Sequence, residues 1–106
     1  MKSNLRIFVL VCLAGSIAST IHPQDTGADI YKAKCLMCHS ADGLGVTPVG
    51  KSLKIVSFKD PSVEKSSNAE LVAVIKSGKN NMPPFVSKLS DAQIRAVVQY
   101  IRTLRK

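Results

Sequence analysis

The sequence predicts a small all-α domain, and three observations lead to this fold class. Two segments open with a capping box, a Ser followed three residues later by Glu or Gln, and continue with apolar residues at helical spacing. Residues 40–60 contain several glycines and a proline, which interrupt regular structure. No segment alternates apolar and polar residues as a half-exposed strand does. A chain of 106 residues is expected to form one domain.

The first half of the domain is predicted to be mostly loop after an opening helix. That helix is expected to begin near Gly27 and to run into the cysteine motif at residues 35–39. Residues 40–60 follow as an irregular loop that carries buried apolar side chains. One short helical turn is predicted after Pro61, because proline is favoured at the first position of a helix.

The second half is predicted to contain two helices joined by a loop. The first begins at a capping box formed by Ser67 and Glu70 and ends at Gly78. Two consecutive prolines exclude helix from the loop that follows. The final helix opens with a second capping box at Ser90. Its apolar stripe consists of Ile94, Val97, Val98, Ile101 and Leu104.

The first 18 residues have the layout of a secretory signal peptide. Lys2 and Arg6 precede an apolar run, and residues 16–18 supply small side chains at both positions that signal peptidase tests. The apolar run is short for a membrane-spanning helix, which needs roughly 20 apolar residues. We therefore expect cleavage after Ala18, export to the periplasm and no stable membrane insertion.

The exported chain is predicted to consist of a short leader and the folded domain. Residues 19–26 are polar and are expected to form a flexible leader, and residues 27–106 are expected to form the domain. The chain has no Trp and few other aromatic residues. A domain this small often needs a disulfide, a metal or a cofactor to be stable. We therefore expect a bulky apolar group that the polypeptide itself does not supply.

The chemistry of the chain is concentrated in the Cys-Leu-Met-Cys-His sequence at residues 35–39. A structural zinc site needs four Cys or His ligands, and the only other histidine, His22, lies in the leader. A thioredoxin-like redox pair needs alternating strands and helices, which the sequence does not predict. Cys-x-x-Cys-His is the attachment signature of c-type haem. We therefore predict one covalent haem c, held by Cys35 and Cys38, with His39 as an iron ligand.

The second iron ligand has four candidates, namely Met37, Met82, His22 and none. Met37 lies inside the attachment loop, on the histidine side of the ring, and so cannot reach the opposite face. A methionine chosen at random is usually core filler. Met82, however, lies in a loop stiffened by two prolines and flanked by polar Asn residues. We therefore predict that Met82 is the sixth ligand, in the His/Met pairing of cytochromes.

Three segments of the chain resemble the class I monohaem cytochromes c, especially small bacterial periplasmic ones and their relatives fused to oxidases. "GADIYKAKCLMCHSADGLG" resembles their first helix and haem loop, "NMPPF" their methionine loop, and "KLSDAQIRAVVQYIRTL" their last helix. The resemblance runs from Gly27 to Leu104. It implies a small cytochrome c-like domain, with three to five helices around one covalently bound haem.

The resemblance also implies two contacts and an apolar lining. Gly27 and Tyr31 of the first helix are expected to meet Val97 and Tyr100 of the last. The carbonyl of Pro48 is expected to accept a hydrogen bond from the ring of the axial histidine. The apolar lining of the haem site is expected to include Val46, Leu53, Ile55, Phe58, Ile75 and Phe85.

Occupation of both axial positions predicts a soluble one-electron carrier and not an enzyme. Two alternatives remain at this stage. One is a module through which electrons enter a dehydrogenase or oxidase complex, and the other is a haem enzyme or ligand sensor with a labile sixth ligand. A high-spin, five-coordinate spectrum would favour the enzyme or sensor over the carrier.

The charge of the chain bears on its partners. The formal net charge is +8. Five lysines flank the predicted ligand segments and favour docking onto an acidic redox protein. They are Lys32, Lys34, Lys76, Lys79 and Lys88. The scattered charge and the absence of a binding motif argue against nucleic acid as a partner. We expect a monomer.

Overall fold

The computed structural model describes residues 15–16 and 26–105. The predicted signal peptide and leader lie outside these residues, apart from positions 15, 16 and 26. The all-α fold class is confirmed for the part described, in which six helical segments occur and the only β-type pairing is one isolated bridge. The segments are α1 (Gly27–Lys34), α2 (Leu36–His39), α3 (Pro48–Ser52), α4 (Pro61–Lys65), α5 (Asn68–Ser77) and α6 (Asp91–Leu104).

The described residues thus contain six helical segments against an expected three to five, and the difference lies in the short ones. The turn predicted after Pro61 is α4, whereas α2 and α3 were not predicted as separate elements. In α3, the Thr47 side chain accepts a hydrogen bond from the backbone N–H of Gly50 at 2.9 Å, and Pro48 occupies the first turn. Proline is pre-set for that position. The Thr-Pro pair was therefore a start signal for a helix inside the stretch predicted to be a loop.

The two predicted capping boxes are both present and fix the starts of α5 and α6. The backbone N–H of Glu70 donates to the Ser67 hydroxyl at 3.1 Å, and the Glu70 carboxylate accepts from the Ser67 N–H at 2.6 Å. Ser90 and Gln93 exchange the same pair of bonds at 3.1 and 2.8 Å. The predicted apolar stripe of α6 faces the core. Ile94, Val97, Val98 and Ile101 are buried, and Leu104 packs at the edge of the core.

The crossing of α1 and α6 is the most extensive contact between helices. Tyr31 is buried in it, with its ring centroid 5.2 Å from that of Tyr100. Gly27 lies so close to α6 that an added Cβ would overlap the backbone carbonyl of Ala96. The expected contact between the first and last helices is therefore confirmed, and glycine is needed at position 27 because two backbones meet there.

Gly27→Ala is expected to destabilise the fold by about 1–3 kcal/mol, the range typical of overpacked sites, because the methyl group must push α1 away from α6. Chemical denaturation of the two proteins would measure the difference in the free energy of unfolding. Ala33→Ser, on an exposed position of the same helix, is the control and is expected to stay within about 0.5 kcal/mol of the unchanged protein. A Gly27→Ala protein as stable as the control would contradict the close-crossing argument.

Among the described residues, no helix is both long enough and apolar enough to cross a bilayer.

Candidate functional site

A mostly apolar cavity of about 340 Å³ lies between the cysteine motif, the loop after α3, and helices α4, α5 and α6. Three of the four predicted site residues, Cys35, His39 and Met82, lie on its wall. The fold thus brings together side chains from the start and the end of the domain. The apolar part of the wall includes Leu53, Ile55, Phe58, Leu71, Ile75 and Val97.

Four of the six apolar residues expected to line the site do so, and two do not. Val46 is 51% exposed and lies outside the cavity wall. Phe85 is buried in the hydrophobic core instead. Its backbone N–H donates to the carbonyl of Ile75 at 3.0 Å, which draws the residue against the end of α5.

The two cysteines lie where α1 passes into α2. Cys35 ends α1, since its N–H donates to the Tyr31 carbonyl at 2.9 Å, and its own carbonyl accepts from the N–H of His39 at 2.9 Å. Both thiols are half-buried and form no disulfide. Cys38, unlike Cys35, is not among the residues that line the cavity. Burial raises the pKa of the Cys35 thiol to about 11, so the unmodified side chain is a neutral thiol at pH 7.

His39 stacks on Phe58 at the cavity wall, with ring centroids 4.7 Å apart and planes at 21°. Burial lowers the pKa of the imidazole, so the ring is neutral at pH 7, the form that binds a metal. Its Nδ1 is buried and has no hydrogen-bond partner among the described residues. The expected bond to the carbonyl of Pro48 is therefore not formed. The preceding Thr47 side chain instead donates to the carbonyl of Met37 at 2.6 Å.

Met82 belongs to a tight turn at the cavity wall. The backbone N–H of Lys79 donates to the Met82 carbonyl at 3.1 Å, and that of Met82 donates to the Lys79 carbonyl at 2.9 Å. Asn80 and Asn81 form the corner, and Asn80 has a φ of 52°. Asparagine tolerates this left-handed conformation better than most residues. The two polar residues beside Met82 thus have a structural role in turning the chain.

Backbone hydrogen bonds attach the loop that contains Met82 to the end of α5. The N–H of Val86 donates to the carbonyl of Lys76 at 3.2 Å, and Gly78 ends the helix with a φ of 73°. A Cβ at Gly78 would lie 2.6 Å from the Met82 carbonyl oxygen and 2.9 Å from the Pro84 nitrogen. Only glycine therefore allows the loop to pack this closely, and Met82 is held on the wall by a constrained backbone.

A hydrogen-bond network behind the histidine was not predicted from the sequence. The buried hydroxyl of Tyr31 donates to the carbonyl of Ser40 at 2.6 Å. The Ser40 hydroxyl donates to Asp42 at 2.6 Å, and this bond helps to hold the pKa of Asp42 below its usual value. The N–H of Gly45 donates to the carbonyl of His39 at 3.0 Å. The Ser-x-Asp pattern after the motif was the available signal, since such side chains often stabilise turns.

Three comparisons bear on this arrangement. The profile of the family described as cytochrome C oxidase, cbb3-type, subunit III matches residues 22–101. Cytochrome c6 of Synechococcus sp. (strain ATCC 27167 / PCC 6312) is 32% identical over 105 residues, covering 95% of this chain and 91% of the relative.

Two of the solved structures that resemble this chain are also cytochromes. The c-type cytochrome KustC0563 superposes with a TM-score of 0.70 at 30% identity, over 76% of this chain and 99% of that one. Cytochrome c6 from the diatom Phaeodactylum tricornutum superposes with a TM-score of 0.57 at 29% identity, over 74% of this chain and 90% of that one.

The helical fold, the Cys-x-x-Cys-His motif and the apolar cavity beside it define a c-type cytochrome. The chain belongs to the class I cytochrome c family. It is accordingly an electron-transfer protein with covalently bound haem c and not an enzyme.

Proposed function

We propose that the protein is a one-electron carrier that holds one haem c through thioether bonds to Cys35 and Cys38, with His39 and Met82 as the axial ligands. The observation that carries the proposal is the placement of Cys35, His39 and Met82 on the wall of one mostly apolar cavity. The imidazole and the thioether are the two iron ligands of a His/Met cytochrome c, and the thiol can form the covalent bond to the haem.

The side chains present fit a haem. The His39 imidazole is neutral, and because its Nδ1 is buried, Nε2 is the nitrogen available to iron. Met82 is held by its turn, so little conformational freedom is lost when its sulfur binds. When bound, the haem supplies a ferric–ferrous couple that exchanges one electron. The apolar wall excludes water, and a thioether ligand favours the ferrous state, so both raise the reduction potential.

The composition of the wall favours a carrier over a peroxidase-like enzyme. Among the described residues that line the cavity, His39 is the only imidazole and no arginine occurs. If His39 and Met82 take both axial positions, the described wall offers no second imidazole and no guanidinium to cleave a peroxide, and no coordination position remains for a substrate.

The proposal predicts that the intact mass of the denatured protein equals the polypeptide plus one haem, and that a spectroscopic redox titration follows a one-electron curve. Mass spectrometry after acid–organic extraction measures the first quantity, and titration against mediators measures the second. A bare polypeptide mass, two haems, or a titration that requires two electrons would contradict the proposal.

A second candidate function is a module through which electrons enter a larger complex. The matching family profile favours it, because that family is described as a subunit of an oxidase. Native mass spectrometry of the purified protein distinguishes the two functions. A monomer supports the free carrier, whereas a stable complex with an oxidase or dehydrogenase supports the module.

The carrier function is proposed to operate in the periplasm, after removal of residues 1–18, on partners with an acidic docking face. The position of Lys79 supports the proposal of an acidic partner, because this exposed residue lies both beside Met82 and at the cavity. Within the described chain, the lysine forms no ion pair with a carboxylate. Its charge is therefore available to a partner that approaches the haem.

Small charged oxidants test this electrostatic claim without a protein partner. Oxidation of the ferrous protein by anionic ferricyanide is expected to slow as salt rises, because exposed charges are screened over about 10 Å at 0.1 M salt. Oxidation by cationic tris(phenanthroline)cobalt is expected to accelerate. Stopped-flow absorbance measures both rates.

Two charge reversals locate the effect. Lys79→Glu should slow the ferricyanide reaction several-fold at low salt. Arg95→Glu makes the same charge change on α6, in a separate groove between α5 and α6, and should have a smaller effect. Equal effects of the two reversals, or one salt dependence for both oxidants, would leave the lysine as ordinary solvated surface.

A further inference from the structure

Two arginines near the end of α6 reach across the molecule to the segment that joins α4 and α5. Arg102 donates from Nε to the side-chain oxygen of Asn68 at 2.8 Å and from Nη2 to the backbone carbonyl of Ser66 at 2.5 Å. Arg105 donates from Nη1 to the carbonyl of Val63 at 3.1 Å. These bonds join residues that lie 34 to 42 positions apart in the sequence.

The segment that the arginines hold is one side of the cavity. Ser62, Val63 and Ser66 all line it. The helix pairs in main contact are α1 with α6, α5 with α6, α2 with α3 and α1 with α2, so α4 takes part in none of them. The Val63 side chain packs at the edge of the core. Among the described residues, the long-range hydrogen bonds to this segment come from the two arginines: Arg105 bonds α4 itself at Val63, and Arg102 bonds Ser66, the residue that follows α4.

The bonding of the arginines is not that of ordinary surface residues. Nη1 of Arg102 and Nε of Arg105 are buried and have no acceptor among the described residues. A buried donor without a partner destabilises a fold, whereas an arginine extended into water would satisfy every N–H. The two side chains are therefore held in place by the carbonyls that they bind, since hydration of the guanidinium groups would favour a position in water.

We propose that Arg102, assisted by Arg105, is a positioning residue that keeps the α4 side of the haem cavity closed and so limits the access of water and small anions to the iron. The inference rests on the proposed function in taking this cavity as the haem site. Arg102 and Arg105 act on the cavity through the backbone carbonyls that they bind, those of Ser66 and Val63, since neither arginine is itself among the cavity-lining residues.

The test compares holoproteins that carry Arg102→Gln, Arg102→Lys and, as the control, Arg95→Gln. Arg95 is exposed on the same helix and lies in the groove between α5 and α6. Two readouts are measured, namely the rate of cyanide binding to the ferric protein and backbone hydrogen exchange in residues 61–67. Loss of hydrogen bonds from a charged donor should raise the population of the open wall about tenfold.

Arg102→Gln is therefore expected to bind cyanide about tenfold faster, with a matching rise in exchange at residues 61–67 and a lower reduction potential. Exchange in α1 and the behaviour of Arg95→Gln should not change. Lysine keeps the charge but can reach only one acceptor. The cyanide-binding and exchange rates of Arg102→Lys should therefore lie between those of Arg102→Gln and those of the unchanged protein. This variant also provides a readout if Arg102→Gln fails to fold.

Two results would overturn the inference. One is exchange and cyanide binding within twofold of the unchanged protein. The other is faster exchange without faster cyanide binding, which would show that this wall does not control access to the iron. The comparison of exchange between residues 61–67 and α1 reports the α4 wall whichever residues bind the iron, whereas the absorption spectrum of the unchanged protein reports the axial ligands directly. Failure of the proposed ligation is thereby distinguished from failure of the proposed role of Arg102.

Discussion

Met82→Ala is expected to convert the protein from one that excludes external ligands into one that binds carbon monoxide readily in the ferrous state. Without the thioether, the iron would be five-coordinate or would bind water. The near-infrared sulfur-to-iron band should disappear, and the reduction potential should fall, because a thioether ligand favours the ferrous state. The free energy of unfolding should fall by about 1–3 kcal/mol, since the loop at residues 79–86 loses its bond across the cavity.

Two further variants separate ligation from packing. Met82→Leu fills similar space without a sulfur, so it should lose the band and bind carbon monoxide while it keeps more of the stability. Met37→Leu is the matched control, because Met37 is 72% exposed and is not part of the cavity wall. It should behave as the unchanged protein. Retention of the band in Met82→Leu would show that another residue is the ligand.

Replacement of both Cys35 and Cys38 with Ala should abolish covalent attachment. Haem is then expected to pass into the organic phase after acid–organic extraction, and the denatured chain should have the mass of the bare polypeptide. The apolar cavity and His39 would remain, so some haem can still bind without a covalent bond. The folded protein should nevertheless be less stable, because a small domain depends on its cofactor to complete the core.

The single replacements serve as controls for attachment. Cys35→Ala and Cys38→Ala should each keep haem on the denatured chain through the remaining thioether. Covalent retention in the double variant would contradict the attachment proposal. Loss in Cys35→Ala alone would show that Cys38, which lies off the cavity wall in the structure, forms no bond of its own.

The helices that could be predicted from the sequence are those whose signals are local. Capping boxes at Ser67 and Ser90 involve contacts three residues apart, and the apolar stripe of α6 follows the helical repeat. The start of α3 was missed although Thr47 and Pro48 mark it, because nearby glycines made the whole stretch read as loop. Local signals were thus sufficient where no competing signal was present.

In the candidate site too, the features with a local sequence signal could be predicted and those that depend on distant contacts could not. The spacing of the Cys-x-x-Cys-His motif at residues 35–39 was sufficient to predict haem attachment. The methionine in a proline-fixed loop was a second signal, which predicted an iron ligand. The hydrogen bonds of Arg102 and Arg105 were beyond prediction, since they join residues 34 to 42 positions apart and depend on how α6 crosses the domain. The Pro48 bond was expected from the resemblance alone and is not formed, since Nδ1 of His39 has no hydrogen-bond partner among the described residues.

The absorption spectrum of the unchanged ferric protein at neutral pH tests the central claim most directly. Ligation by His39 and Met82 predicts a low-spin spectrum with the near-infrared sulfur-to-iron band, and no change when cyanide is added briefly at low concentration. A high-spin spectrum without that band would contradict the account, since it would leave an open coordination position and favour a ligand sensor or enzyme over an electron carrier.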